Sequence, residues 1–135
     1  MERIDYFRPL AEAKGLGWEE MIEEGVIHVV DRTKLTRVVD NLLSNAIKYN
    51  KRKGVIRVNV TPTTLAISDT GIGIAASKIH EIFDRYSRFD HANGGFGIGL
   101  NIVQLICKEY GIAIDVNSVL GEGTTFTLRW ANKQS

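Results

Sequence analysis

The chain has 135 residues, a net charge of +1, and 44% hydrophobic against 24% charged residues. That length makes one domain over residues 1–135, able to bury roughly two-thirds of its unfolded surface. The charge balance gives no electrostatic case for nucleic acid or an anionic membrane. No apolar run approaches the roughly 20 residues that cross a bilayer, and no signal peptide opens the chain. Cys107, the single cysteine, excludes an intrachain disulfide and fits a reducing compartment. It lies in an apolar helical stretch, the setting of a buried, inert thiol.

Residues 4–14 read as a helix in which Pro9 is tolerable only near the first turn or as a break. Residues 16–24 carry two readings. Trp18, Met21 and Ile22 have helical spacing, whereas the flanking Gly15, Gly17 and Gly25 suit an edge strand better. Val26 to Val30 reads as a strand.

The next element has the clearest pattern. Asp31 or Thr33 can cap a helix in which Leu35, Val38, Val39, Leu42, Leu43, Ala46 and Ile47 make one apolar stripe. Asn41, Asn45 and Lys48 form a second stripe, about a quarter to a third of a turn away at about 100° per residue. They are expected at the rim of the core face, where a cleft could hold them. Ile56, Val58 and Val60 alternate with polar residues, a Thr-Pro-Thr-Thr turn follows, and Leu65 to Ser68 returns as a hairpin. Ile79, Ile82 and Phe83 mark a short helix. Leu100 to Tyr110 is a longer one, stopped by Gly111. A last hairpin pairs Ile112, Ile114 and Val116 with Phe126, Leu128 and Trp130. The pattern predicts an α/β two-layer sandwich, a mixed, mostly antiparallel sheet covered on one face by about three helices.

Eight of the 13 glycines fall in three clusters: 71 and 73; 94, 95, 97 and 99; and 121 and 123. Glycine is costly unless the backbone needs positive φ or must approach something closely. With Asn, Lys and Asp beside them, the clusters suggest a backbone shaped around a nucleotide phosphate and a metal. The common phosphate-loop and dinucleotide patterns are absent. Gly95, Gly97 and Gly99 lead into a helix, where free N–H groups and the dipole favour phosphate. Asp69 ends an apolar strand at a turn. Its carboxylate can accept from the adenine exocyclic amine or simply close an Asx-turn.

In this order the motifs resemble the ATP-binding catalytic domain of sensor histidine kinases, within the superfamily that also holds DNA gyrase, MutL and a heat-shock chaperone. Residues 41–49 match the asparagine box, and 69–73, 95–100 and 121–126 the three glycine boxes. Residues 82–89 match the phenylalanine box, and residues 1–30 carry the least of the resemblance. It implies the Bergerat fold and Mg²⁺-ATP as ligand. Asn45 would meet the metal, Lys48 the phosphates, and Tyr49 could stack on the base. Asp69, Gly71 and Gly73 would take the adenine, with Gly95, Gly97, Gly99, Leu100 and Thr125 completing the nucleotide contacts. Gly121 and Gly123 look more structural than ligand-binding. Arg88 matches the arginine that reaches the γ-phosphate, and Arg85 is a candidate for the same role or for pairing with Asp84 or Glu81, about as well explained as a solvated surface residue. Two features depart from the family pattern: a lid of only residues 90–93 and a phenylalanine, Phe96, at a lid position.

Gyrase-like relatives place a carboxylate one helical turn before the metal-binding asparagine to activate water. Here that place holds Asn41, and an amide is no general base near pH 7. The resemblance therefore implies a phosphodonor rather than a hydrolase. His28, His80 and His91 are the only histidines, and none opens the His-Glu-x-x-x-Pro segment of a phosphoacceptor. The expectation is a catalytic domain that cannot phosphorylate itself on histidine. It would be monomeric when isolated and would work on a dimerisation domain and then a response regulator receiver domain. The domain is expected to be cytoplasmic, and an inner-membrane anchor in a longer parent is left open. A serine kinase of the anti-sigma type and a degenerate interaction module are the alternatives.

Overall fold

Alternating apolar and polar residues build the sheet, and heptad-like apolar stripes build the layer that covers it. The computed structural model describes residues 2–23, 31–82 and 97–130. In chain order these hold α1 (Glu2–Ala13), β1 (Gly17–Ile22), α2 (Arg32–Lys48), β2 (Val55–Val60) and β3 (Thr64–Asp69). A 3₁₀ turn (Ala76–Glu81), α3 (Gly97–Tyr110), β4 (Ala113–Val119) and β5 (Gly123–Arg129) follow. The sheet order is β1-β2-β3-β5-β4, with β1 parallel to β2 and every other pair antiparallel. This is the expected α/β sandwich: one sheet face carries Ile56, Val58, Val60, Leu65, Ile67, Phe126 and Leu128, all buried under the helices. The strand read at 26–30, and residues 83–96 with the phenylalanine box and lid, lie outside the described residues.

Residues 17–22 resolve to the edge strand, in parallel register Trp18↔Ile56. The final hairpin has the expected register, with Ile114↔Leu128 and Val116↔Phe126. Of the two candidate caps of α2, Asp31 serves, accepting from the backbone N–H of Thr33 at 2.7 Å.

Two expectations are corrected. Pro9 lies well inside α1 rather than in its first turn or at a break. An interior proline costs about 3 kcal/mol through its missing N–H and ring clash. Burial of Ile4, Phe7 and Ala11 carries the helix through it, and Arg8 bridges to Asp5 and Glu20, tying α1 to β1. Second, α3 starts at Gly97 rather than Leu100, so Gly97 and Gly99 belong to its first turn. The buried stripe Leu100, Val103, Ile106 and Cys107 holds that turn in place, and Gly111 (φ 68°) stops the helix. Burial pushes the Cys107 thiol up to about 11, as befits an inert side chain.

Gly15 and Gly73 share nearly the same backbone angle, φ 76° and 69°, but different surroundings. Space at Gly15 is open, whereas a Cβ on Gly73 would lie 2.1 Å from the Val119 carbonyl oxygen. Gly15→Ala should cost only the left-handed strain, about 1–2 kcal/mol. Gly73→Ala should cost at least about 2 kcal/mol more, because backbone must move. Urea unfolding of both variants checks this; equal midpoints would show that the close approach carries no energy.

Candidate functional site

Three chain segments meet at one end of the sheet: the end of α2, the turn after β3, and the β4–β5 turn. Ile72 ties them together. Its N–H donates to the Tyr49 carbonyl at 3.1 Å, and its carbonyl accepts from Gly121 N–H at 2.7 Å. The Ile74 N–H donates to Ser118 Oγ at 2.7 Å, and Ser118 also pairs with Thr124 Oγ1 at 2.8 Å. These contacts are close because three glycines lack side chains. A Cβ would lie 2.1 Å from the Tyr49 oxygen at Gly71, 2.1 Å from the Val119 oxygen at Gly73, and 2.0 Å from the Asp69 oxygen at Gly123. Backbone-on-backbone packing is thus sufficient reason for each glycine, where the sequence suggested for Gly71 and Gly73 the passage of a base.

The three segments frame a small, half-open cleft. Ile72, Ile74, Leu100 and Phe126 make its apolar walls, Gly73 lies on its floor, and Asn45, Tyr49, Asp69 and Thr124 supply its polar atoms. That mixture, mostly apolar with a few convergent polar groups, is what a small-molecule site requires.

Strand parity explains the polar set. Asp69 pairs with Ile56 on one side and Thr124 on the other, so it belongs to the row of residues that faces the helices. It is therefore a carboxylate on the apolar side of the sheet. Burial drives its pKa from 3.8 up to about 6, against the pull of backbone N–H groups from Gly71 and Thr124. The Gly71 bond, 2.8 Å, closes an Asx-turn. Because Oδ1 is engaged there, the rest of the carboxylate is what remains for a ligand.

Parity also corrects one residue. Thr124 is buried and lines the cleft, whereas Thr125 points to the other face of the sheet and shares a 2.8 Å hydrogen bond with Ser68. The alternation that turned Phe126 inward already implied this, since residues two apart share a face. Thr124 and Ser118 escaped sequence reading because their facing is set by hairpin register, and Ile74 because its place is set by a distant contact, the bond to Ser118.

On α2, Asn45 is buried at 9% exposure and lines the cleft, while Asn41 is half-buried one turn earlier. Lys48 does not line the cleft. Its ammonium lies 5.3 Å from the centroid of the Tyr49 ring, and its stem borders a groove between α1 and α2. Three residues on from Asn45 the helix has turned about 300°, so the two side chains diverge by about 60° and the border between cleft and groove falls between them. Leu100 meets the cleft from the first turn of α3, whose backbone includes Gly97 and Gly99. Gly95, Arg85 and Arg88 lie outside the described residues. Among the described residues no three His, Cys, Asp or Glu side chains gather to hold a metal. Asn45 offers a hard amide oxygen, a donor suited to Mg²⁺ that keeps water or a ligand's oxygens as its other partners.

Residues 30–134 match the family described as histidine kinase-, DNA gyrase B- and HSP90-like ATPase. The sensor protein SrrB of Staphylococcus aureus strain MRSA252 is 34% identical over 131 residues, covering 91% of this chain and 22% of that protein. The chain thus spans under a quarter of the length of that relative. A mycobacterial sensor histidine kinase, MprB, has a similar structure, with TM-score 0.78, 27% identity and coverage of 94% of this chain and 90% of that one. Full-length ShkA, solved in complex with AMPPNP, shares the fold with TM-score 0.80, 24% identity and coverage of 94% and 28%. Apolar sheet rows, an asparagine helix and glycine-packed turns therefore place this chain in the histidine kinase-, gyrase- and HSP90-like ATPase family.

Proposed function

We propose that the cleft binds Mg²⁺-ATP and presents its γ-phosphoryl group to a histidine on a separate helical dimerisation domain. The observation that carries this reading is Asp69, a carboxylate held on the apolar side of the sheet with Asn45 in the same cleft. The desolvated carboxylate accepts from the adenine exocyclic amine, a donor that guanine lacks at that place. Apolar Ile72, Ile74 and Phe126 cover the base, and Tyr49 adds its ring beside them. Asn45 would hold Mg²⁺, which supplies neutralising charge to the phosphates. Backbone N–H groups of the first turn of α3, including those of Gly97 and Gly99, face no intrahelical partner and suit phosphate oxygens. Lys48 lines the neighbouring groove rather than the cleft, and this reading does not rest on it.

Asn41, one turn before Asn45, is an amide and cannot take a proton from water near pH 7. This favours a site that holds ATP for transfer over one that hydrolyses it. The family membership and the sensor-kinase relatives favour histidine as acceptor and a response regulator receiver domain as the next recipient. The domain is proposed to act on the cytoplasmic side of whatever longer protein carries it.

Asp69→Asn should weaken ATP binding by about 10- to 100-fold, the worth of a hydrogen bond to a charged group. The preference for ATP over GTP should fall with it in calorimetric titration. The folded carboxyl holds its proton more tightly than the unfolded one, so wild-type stability falls as pH rises from about 4 to 6. The Asn variant lacks that cost and should match or exceed wild type in thermal stability at pH 8. Conversely, wild-type ATP affinity should decline more steeply than the variant's as pH drops through about 6, the difference isolating the carboxylate from the titration of the phosphates. A variant equally weakened in stability and binding would mean that Asp69 only closes the turn.

Incubation with labelled ATP, Mg²⁺ and a histidine-bearing dimerisation fragment should give acid-labile label on the fragment. Acid-stable label would move the assignment to a serine kinase. Asn45→Ala should lose the Mg²⁺-dependent part of nucleotide affinity, about tenfold or more, with little change without metal.

A further inference from the structure

On α1, Ile4, Phe7 and Ala11 are buried while Tyr6 and Leu10 stand exposed. Between α1 and the last turn of α2 runs an open groove of about 940 Å³, counted to its mouth. Its floor is Phe7, Leu10, Ala13 and Ile47, and Leu10 stands 44% exposed. Exposed Tyr6 (55%) extends the same stripe of α1 toward its start. Lys14 and Lys48 border the groove at the C-terminal ends of the two helices. A lysine at a helix C-terminus answers the dipole, but that explains neither the apolar floor nor the exposed leucine.

We propose that this groove docks an amphipathic helix whose apolar stripe is bordered by carboxylates. The shape argues for a helix, because the groove is open, lies between two helices and follows two turns of α1 from Phe7 to Lys14, where i, i+3 and i+4 anchors can seat. The charge argues for an acidic one, since Lys14 and Lys48 are the charged residues lining the groove and no carboxylate among the described residues joins them, so a basic helix would be repelled. Docking there acts next to the nucleotide cleft. Ser44, Ile47 and Lys48 face the groove, Asn45 and Tyr49 face the cleft, and the Lys48 ammonium lies 5.3 Å from the Tyr49 ring centroid. That coupling rests on the nucleotide reading. The docking itself does not, and it is tested without nucleotide.

The probe is a synthetic peptide of about 18 residues, long enough to be helical alone, with Leu at i, i+3, i+4 and i+7 and Glu bordering that stripe. Titrated into the labelled protein up to about 1 mM, the weak end of specific association, it should shift backbone amides at residues 10, 13, 14, 44 and 47. Leu10→Ser and Lys14→Glu, both at exposed positions, should each weaken binding about tenfold with unchanged circular dichroism. A peptide with Lys in place of Glu should bind wild type poorly and recover on Lys14→Glu. Absent shifts, shifts centred on Asn45 and Asp69, or failure of the charge-swap recovery would overturn the proposal. So would decanoate shifting the same amides more strongly than the peptide, which would make the groove a site for aliphatic carboxylates.

Discussion

Three backbone contacts that leave no room for a Cβ hold the functional end of this domain. Gly71 lies on the Tyr49 carbonyl, Gly73 on Val119 and Gly123 on Asp69. A side chain at any of these positions would push the end of α2, the turn after β3 or the β4–β5 turn outward by ångströms. The cleft exists because these three segments approach to backbone contact while the side chains beside them stay apart. Glycine's conformational freedom is a secondary matter at Gly71, whose φ is not positive, and a primary one at Gly73 and Gly123, at 69° and 134°. The hydrogen bonds through Ile72 and Ser118 then fix the spacing that the glycines allow.

Within that frame Asp69 is a local conflict that the fold sustains. Its row in the sheet otherwise faces the helical layer, where a carboxylate is desolvated and resists ionisation. Two backbone N–H groups offset part of this cost, from Gly71 and from Thr124. A wholly structural turn residue would serve as well with an asparagine, which caps an Asx-turn without a buried charge. A carboxylate kept at this position, at a cost in stability near neutral pH, is the kind of local inconsistency that accompanies a functional site.

Much of this was legible in the sequence, where the pattern depends on period alone. The core face of α2 and the pairing of Ile114 with Leu128 follow from spacing and alternation. The edge strand at 17–22 follows from its flanking glycines against a helical spacing, and Asp31 is one of two residues able to cap α2. What was not legible depends on packing between distant segments. Pro9 reads as a break because its cost is local, while the burial of Ile4 and Ala11 that offsets it is tertiary. Gly97 and Gly99 read as loop because glycine is a poor helix former, yet the stripe from Leu100 to Cys107 extends the helix back over them. The motif resemblance implies a nucleotide contact at Thr125, whereas strand parity turns Thr125 to the other face and puts Thr124 in the cleft.

Lys48 shows how one helical turn can be divided between two surfaces. Grouping it with Asn41 and Asn45 treats a helix rim as a single stripe. Four residues return nearly to the same direction, so Asn45 and Tyr49 share the cleft, whereas Ser44 and Lys48 share the adjoining groove. The final turn of α2 is thus a wall between the cleft and the groove, bridged where the Lys48 ammonium lies 5.3 Å from the Tyr49 ring centroid. A cation over an aromatic face is held by about 0.5–1 kcal/mol at exposed sites. That is weak enough for a carboxylate in the groove to compete for the ammonium, and the Tyr49 ring would feel the exchange without any change in the fold.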